Sequence, residues 1–353
     1  MIYVNARFLT QNLTGVQRFA ENIALCLKEL RADIVFLSPR NIIRKDIAEK
    51  LNVQIIGTHT GHLWEQIDLP LYLRSRNGEI LLNLCNTAPL SYSNKVIVLH
   101  DITYLRFPQS YSWAFRFFYK ILTPKIIKKS LHVFTVSEFS KRELKEIYGI
   151  NESNISVIKN AVQSNFEHCD NEDEAVREKK DKYFLAVSSP AYHKNFARLV
   201  SAFVKFSKLY GYDINLKIVG KAETNFKSIS SDFNQDCVQY VGRVSDEELI
   251  SLYKNALAFV FPSIYEGFGI PPLEAQACNC PVISSNRASM PEVLQNSALY
   301  FDPENENELI TCLNNIIINP ELRDELIFLG RKNIERYSWS DSAIKLNNII
   351  DTL

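Results

Sequence analysis

The sequence has no apolar run long enough to cross a bilayer. Its most apolar stretch, residues 256–261, is stopped by Pro262, far short of the ~20 residues a spanning helix needs. The start, MIYVNARFL, has neither the basic opening nor the extended apolar core of a secretory signal, so a cytoplasmic location is expected. Glycine and proline are sparse, 11 and 13 residues in 353, which excludes a collagenous or low-complexity chain. No internal repeat is visible. The seven cysteines are scattered and odd in number, and Cys278 and Cys280 lie too close for zinc-site or disulfide spacing. They read as reduced thiols. There is no Asp-x-Asp tripeptide to hold a divalent cation across a diphosphate. Net charge is also absent, 40 basic against 40 acidic residues, and no aromatic-basic sheet motif appears, which argues against a nucleic-acid partner.

What is present is material for a large core. Apolar residues make up 46%, with 21 Phe and 16 Tyr, and the length suits two domains at roughly 150 residues each. The zero net charge hides an asymmetry. Residues 1–165 carry 21 Lys/Arg against 13 Asp/Glu, a balance of +8, so residues 166–353 carry −8. A basic half suits an anionic surface such as phospholipid or a polyprenyl diphosphate.

Short apolar runs alternate with helical periodicity throughout. Strand patterns fall at residues 1–8, 34–38, 53–57, 80–84, 95–100, 132–136 and 155–158, then at 183–187, 216–219, 238–242, 257–261, 282–284 and 298–301. Between the first two, Val16, Phe19, Ala20, Ile23, Leu27 and Leu30 recur at helical spacing. Ser140 and Glu143 read as a capping box for a helix ending near Gly149. Helices are expected to start near Asn195, Asp246 and Pro271. This rhythm predicts an α/β fold of two Rossmann-like domains with parallel sheets. The domains are expected at 1–165 and 183–336, with a polar linker at 166–182 and a terminal amphipathic helix within 337–353. The basic, aromatic segment 113–131 reads as a helix that Pro124 would kink or split, and as an amphipathic surface it suits anionic lipid.

The most informative segment is LAFVFPSIYEGFGIPPLEAQAC, residues 257–278. A buried strand runs into a loop with Gly267 and Gly269, where backbone freedom permits close approach. Pro271 and Pro272 suit a first helical turn, which needs no backbone N–H. The loop amides and the helix start would face the carboxyl end of the sheet and make an anion site that fits a diphosphate. Glu266 and Glu274 flank it. Carboxylates there make sense as acceptors of sugar hydroxyls on either side of the diphosphate. His100 follows the apolar strand KVIVLH at its carboxyl end, where open α/β sheets place ligands.

The segment Glu266-Gly-Phe-Gly-Ile-Pro-Pro-Leu-Glu274 resembles the Glu, seven residues, Glu signature of the retaining glycosyltransferases of family 4. YFLAVSSPAYHKN (183–195), LKIVG (216–220) and VQYVGRVS (238–245) are similar to the successive strands and loops of the family's nucleotide-sugar domain. Thr14-Gly15-Val16, His100-Asp101 and TVSEFS (135–140) resemble segments of its first domain. The likeness covers nearly the whole chain and implies the GT-B architecture, two Rossmann-like domains facing a central cleft, the first on the acceptor side, with the terminal helix crossing back to it.

The resemblance implies a metal-independent, retaining hexosyltransferase without a resident cofactor. The donor it favours is GDP-mannose, by likeness to bacterial mannosyltransferases of polysaccharide and lipopolysaccharide assembly. The acceptor would be a saccharide or lipid-linked oligosaccharide, reached from the inner face of the membrane. Glu266 and His100 would act at the transferred sugar, and Glu274 would hold the ribose diol. Lys194, Gly15, Arg243 and the backbone of Phe268, Gly269 and Ile270 would contact phosphate or sugar. The chain departs from the family in its single glycine at Gly15, in His193 before Lys194 where arginine is common, and in Ser188 where some relatives carry a cation. A UDP- or dTDP-sugar donor and an inactive sugar-nucleotide-binding subunit are the alternatives left open.

Overall fold

A computed structural model describes residues 1–76, 78–167, 182–188, 191–220 and 237–353. Most of the expected linker, 168–181, with Cys169, lies outside them. Among the described residues the other six cysteines form no disulfide. All thirteen expected strands form. They are β1 (Ile2–Asn5), β2 (Ile34–Ser38), β3 (Gln54–Ile55), β4 (Ile80–Asn83), β5 (Lys95–Val98), β6 (His132–Thr135) and β7 (Ile155–Val157), then β8 (Tyr183–Ser188), β9 (Asn215–Gly220), β10 (Val238–Gly242), β11 (Ala258–Phe261), β12 (Val282–Ser285) and β13 (Leu299–Phe301). β1 stops short of the expected residue 8 because Arg7–Thr10 coils into a 3-10 turn.

The strands make two parallel sheets, ordered β3-β2-β1-β4-β5-β6-β7 and β10-β9-β8-β11-β12-β13. The winding direction reverses once in each, between β1 and β4 and between β8 and β11. Open α/β sheets bind ligands beside the carboxyl ends of the strands at such a reversal. Two compact units follow from this division. One comprises 1–160 with 338–353, the other 161–337.

In the first unit the helix Gly15–Leu30 buries Phe19, Ala20, Ile23 and Leu27, while Leu30 is left exposed at its end. The helix Trp339–Ile350 packs on it. The Phe19 and Trp339 rings meet edge-on at 5.9 Å, and Arg31 Nη1 donates to Asn347 Oδ1 at 2.8 Å. The helix Glu138–Tyr148 ends at Gly149 in the left-handed region, but its cap is Ser137, whose hydroxyl accepts from the Ser140 N–H. The cap therefore lies three residues before the expected Ser140. Pro124 does not split its helix either. Trp113–Lys128 is one helix, and Lys120 and Pro124 are both exposed, so the carbonyl that Pro124 leaves without a donor is open to water.

In the second unit Phe184, Phe203 and Phe206 form an aromatic centre under the sheet, with ring centroids 5.6–6.3 Å apart. Phe166, within the span expected as polar linker, is fully buried and meets Tyr253 edge-on at 6.3 Å. A large aromatic side chain at the edge of a polar stretch finds the nearest core.

Candidate active site

Two loops meet at the winding reversal of the second sheet. One follows β8 and the other follows β11, its neighbour. Tyr192–Lys194 makes a 3-10 turn, and Asn195 then adopts φ 59°, ψ 29° before the helix Phe196–Tyr210. Asparagine tolerates this left-handed geometry better than most residues. Its Nδ2 donates to the carbonyls of Pro303 at 2.9 Å and Pro262 at 3.3 Å, and the Ile264 N–H donates to the His193 carbonyl at 2.8 Å. These bonds tie the first loop to the second. Lys194 Nζ then donates to Glu266 Oε1 at 2.5 Å. Arg198, one turn on, donates to the Pro303 carbonyl at 2.7 Å and so serves the loop's architecture.

The second loop ends at Gly269, the cap residue of the helix Ile270–Ala277, with φ 88°. The backbone there favours glycine, and a β-carbon would also lie 2.4 Å from Met290 Cε, at the end of a flexible side chain that would have to shift. The buried Ser289 hydroxyl sits 3.0 Å from the Glu266 carbonyl and 3.1 Å from the Phe268 carbonyl. The Phe268 ring turns inward onto Tyr337, 5.5 Å away. What this leaves at the head of the helix is backbone. The amides of Gly269 and Ile270, at the cap and the first helical position, stand where a helix has no internal partners for its N–H groups, and the Phe268 amide lies just before them, which favours an anion.

Glu274 lies one turn into this helix and is only 6% exposed. The Tyr253 phenol is raised well above its usual value, first by burial and then by the charge of the nearby Glu274 carboxylate, so it stays protonated, and its hydroxyl donates to the Pro271 carbonyl at 3.4 Å. Arg243 follows Gly242, at φ 84°, after the edge strand β10 and is exposed. Among the described residues no ion pair joins it to Glu266.

The first unit has its own polar cluster at the β1–β4 reversal. The His100 ring Nε2 lies 3.1 Å from the Leu84 carbonyl. A carbonyl only accepts, so Nε2 carries the proton and Nδ1 is left as an acceptor. Phe19 meets the ring edge-on at 4.8 Å. Burial lowers the His100 pKa from 6.5, so the imidazole is neutral at pH 7, and a hydrogen-bonding role suits it better than a charged one. Gly15 is the first residue of its helix, not part of the preceding loop, and a β-carbon there would meet no protein atom within 4 Å.

The sequence reading missed a buried network beside it. Arg7 Nε donates to Glu65 Oε2 at 3.1 Å, Asn5 Nδ2 to the same oxygen at 3.0 Å, and the Thr87 hydroxyl to it at 2.9 Å. Although burial opposes ionisation, hydrogen bonding from His62 and the charge of Arg7 hold the Glu65 carboxyl below its ordinary range. Asn5 and Arg7 at the end of an apolar strand were the available signal. Their partner, 58 residues from Arg7, was not. Among the described residues no cluster of His, Cys, Asp and Glu could hold a metal ion, and no helix is long and apolar enough to cross a membrane.

Comparison with known proteins bears on both units. Residues 13–166 match the family model Glycosyltransferase Family 4, and residues 170–333 match Glycosyl transferases group 1. The chain is 34% identical to the O-antigen chain mannosyltransferase RfbU of Salmonella typhimurium, over 98% of each protein. It is 25% identical to the O-antigen chain mannosyltransferase B of Escherichia coli, over 74% of this chain and 71% of that one. Among solved structures, HepE of Anabaena in complex with UDP-glucose superposes with a TM-score of 0.76 at 15% identity, covering 100% of this chain and 99% of that one.

Proposed function

The chain belongs to the family-4 glycosyltransferases and has the GT-B fold, and from that premise we propose that it transfers mannose from GDP-mannose to a saccharide or lipid-linked oligosaccharide in cell-surface polysaccharide synthesis. The choice of mannose is supported by the O-antigen mannosyltransferase of Salmonella, whose likeness runs the length of both chains. The observation that carries the site is the meeting of Lys194 and Glu266 at 2.5 Å, beside the head of the helix Ile270–Ala277.

In this reading the donor diphosphate lies against the amides of Phe268, Gly269 and Ile270 and the Lys194 ammonium. Glu274 accepts from the ribose diol, Glu266 accepts from hexose hydroxyls, and Arg243 meets the donor from its loop. His100 Nδ1 accepts from a hydroxyl of the transferred sugar, and the Gly15 backbone approaches sugar or phosphate. The bond from the anomeric carbon to the phosphate oxygen breaks, and its electron pair leaves with GDP. The acceptor hydroxyl oxygen bonds to the anomeric carbon on the same face, with retention, and its proton passes to the departing phosphate. Charge builds on the diphosphate as it leaves, so Lys194 and the helix head bind the transition state more tightly than the ground state. With that charge supplied by the chain, the reaction needs no resident metal or cofactor. We place the enzyme in the cytoplasm, its basic unit at the inner face of the membrane.

Thermal unfolding with GDP, UDP, dTDP and ADP, paired with turnover of labelled GDP-mannose in EDTA, tests the reading. GDP should stabilise most, and label should transfer despite the chelator. Preferential stabilisation by UDP would replace the donor, and binding without nucleotide release would mean an inactive subunit.

A further inference from the structure

We propose that the exposed first half of the helix Trp113–Lys128 is a docking surface for an anionic phospholipid bilayer. The inference rests on the reading that the basic unit works at a membrane, and it names the surface.

Burial of the helix is concentrated in its second half. Leu122, Thr123 and Ile126 are buried, whereas Trp113 is 73% and Phe117 55% exposed, with Phe118 and Ile121 also open to solvent. Leaving such rings in water forgoes a favourable transfer that a bilayer interface supplies. The rings are ordered. Trp113 and Phe117 stack at 5.5 Å, and Phe115 and Tyr119 at 4.3 Å. Leu63 and Ile67, on the neighbouring helical run, extend the apolar surface, and the rings of His62 and Phe118, 5.1 Å apart, join the two.

Charge selects the occupant. Residues 113–130 hold Arg116, Lys120, Lys125, Lys128 and Lys129 and not one acid. Arg116 and Lys120 line an open pocket of about 280 Å³ with Tyr104, Leu105, Trp113 and Phe117. Cations beside interfacial aromatics match a surface of phosphate headgroups over acyl chains. A protein partner of ordinary mixed charge would leave that one-signed field unmatched.

The test is sedimentation with phosphatidylcholine vesicles, with and without phosphatidylglycerol, together with tryptophan emission. Trp64 is fully buried and Trp339 half-buried, so a blue shift on vesicles reports Trp113. Wild type should pellet only with the anionic vesicles, and salt should release it. Trp113→Ser with Phe117→Ser, and separately Arg116→Glu with Lys120→Glu, should each weaken binding about ten-fold or more. GDP binding by calorimetry should be unchanged in both, which also checks folding. No pelleting with anionic vesicles, or equal pelleting by both variants, would overturn the proposal. So would a fall in the free protein's sedimentation coefficient in the variants, which would make a second copy the occupant. GDP binding without vesicle binding defeats this inference alone, and vesicle binding without GDP binding defeats the donor assignment alone.

Discussion

Lys194 Nζ meets Glu266 Oε1 at 2.5 Å, across 72 residues of sequence. Both are mostly shielded, with side chains 23% and 13% exposed. In the chain without donor, the cation proposed for the diphosphate is therefore held by the carboxylate proposed for the sugar, and a bound diphosphate competes for it. Glu266→Gln should leave GDP affinity unchanged or raise it a few-fold, while turnover falls by at least about a hundred-fold. Lys194→Ala should weaken GDP by ~1–3 kcal/mol and leave guanosine binding unaltered. Calorimetry with GDP and guanosine checks both variants, and equal loss of the two ligands in Lys194→Ala would remove it from the phosphate.

Glu274 should govern the nucleoside. Glu274→Ala is expected to weaken GDP and guanosine alike, by ~1–3 kcal/mol for lost charge-assisted hydrogen bonds. Tyr253→Phe, which removes a buried hydroxyl near this carboxylate, should reproduce part of that loss. Unchanged guanosine affinity in Glu274→Ala would count against the ribose assignment.

Gly269→Ala is expected to destabilise the second unit. The left-handed φ costs an L residue ~1–2 kcal/mol, and the Met290 methyl must also move. Adding Met290→Ala removes the steric part and not the backbone part, so it should restore only a fraction of the lost melting temperature. Full recovery would show that backbone conformation contributes nothing.

His100 makes stability depend on pH in a defined direction. Burial depresses its folded-state pKa below 6.5. Its contribution is therefore whole above about pH 6.5 and is lost as pH falls below that value, because the unfolded chain takes up a proton that the native ring resists. Buried His132 shifts the same way, through burial and then the charge of Lys141. Urea midpoints should decline from about pH 6.5 toward pH 5, and less steeply in His100→Gln. An identical slope in the variant would remove His100 from the effect.

The strands, the two-unit division and the turn at 266–274 were readable because each is written in consecutive residues, as apolar alternation, Gly-x-Gly or Pro-Pro. Features made by distant residues were not. The Asn195 backbone depends on carbonyls of Pro262 and Pro303, Ser289 reaches the turn from beyond the next strand, and Glu65 finds Arg7 from across the sheet. Ser137 and Ser140 show a smaller limit. Both precede a helix-compatible run, and only the backbone path decides which one starts it.

The helix Trp339–Ile350 covers the same core that begins with Ile2. That core stays uncovered throughout synthesis of the intervening 161–337 unit. The second unit has its own core and can form while the earlier one still lacks Trp339 against Phe19. A chain cut before residue 339 should thus be aggregation-prone in its first unit and competent for GDP in its second, so a missing end would look, in a cell, like a defect of solubility rather than of nucleotide recognition.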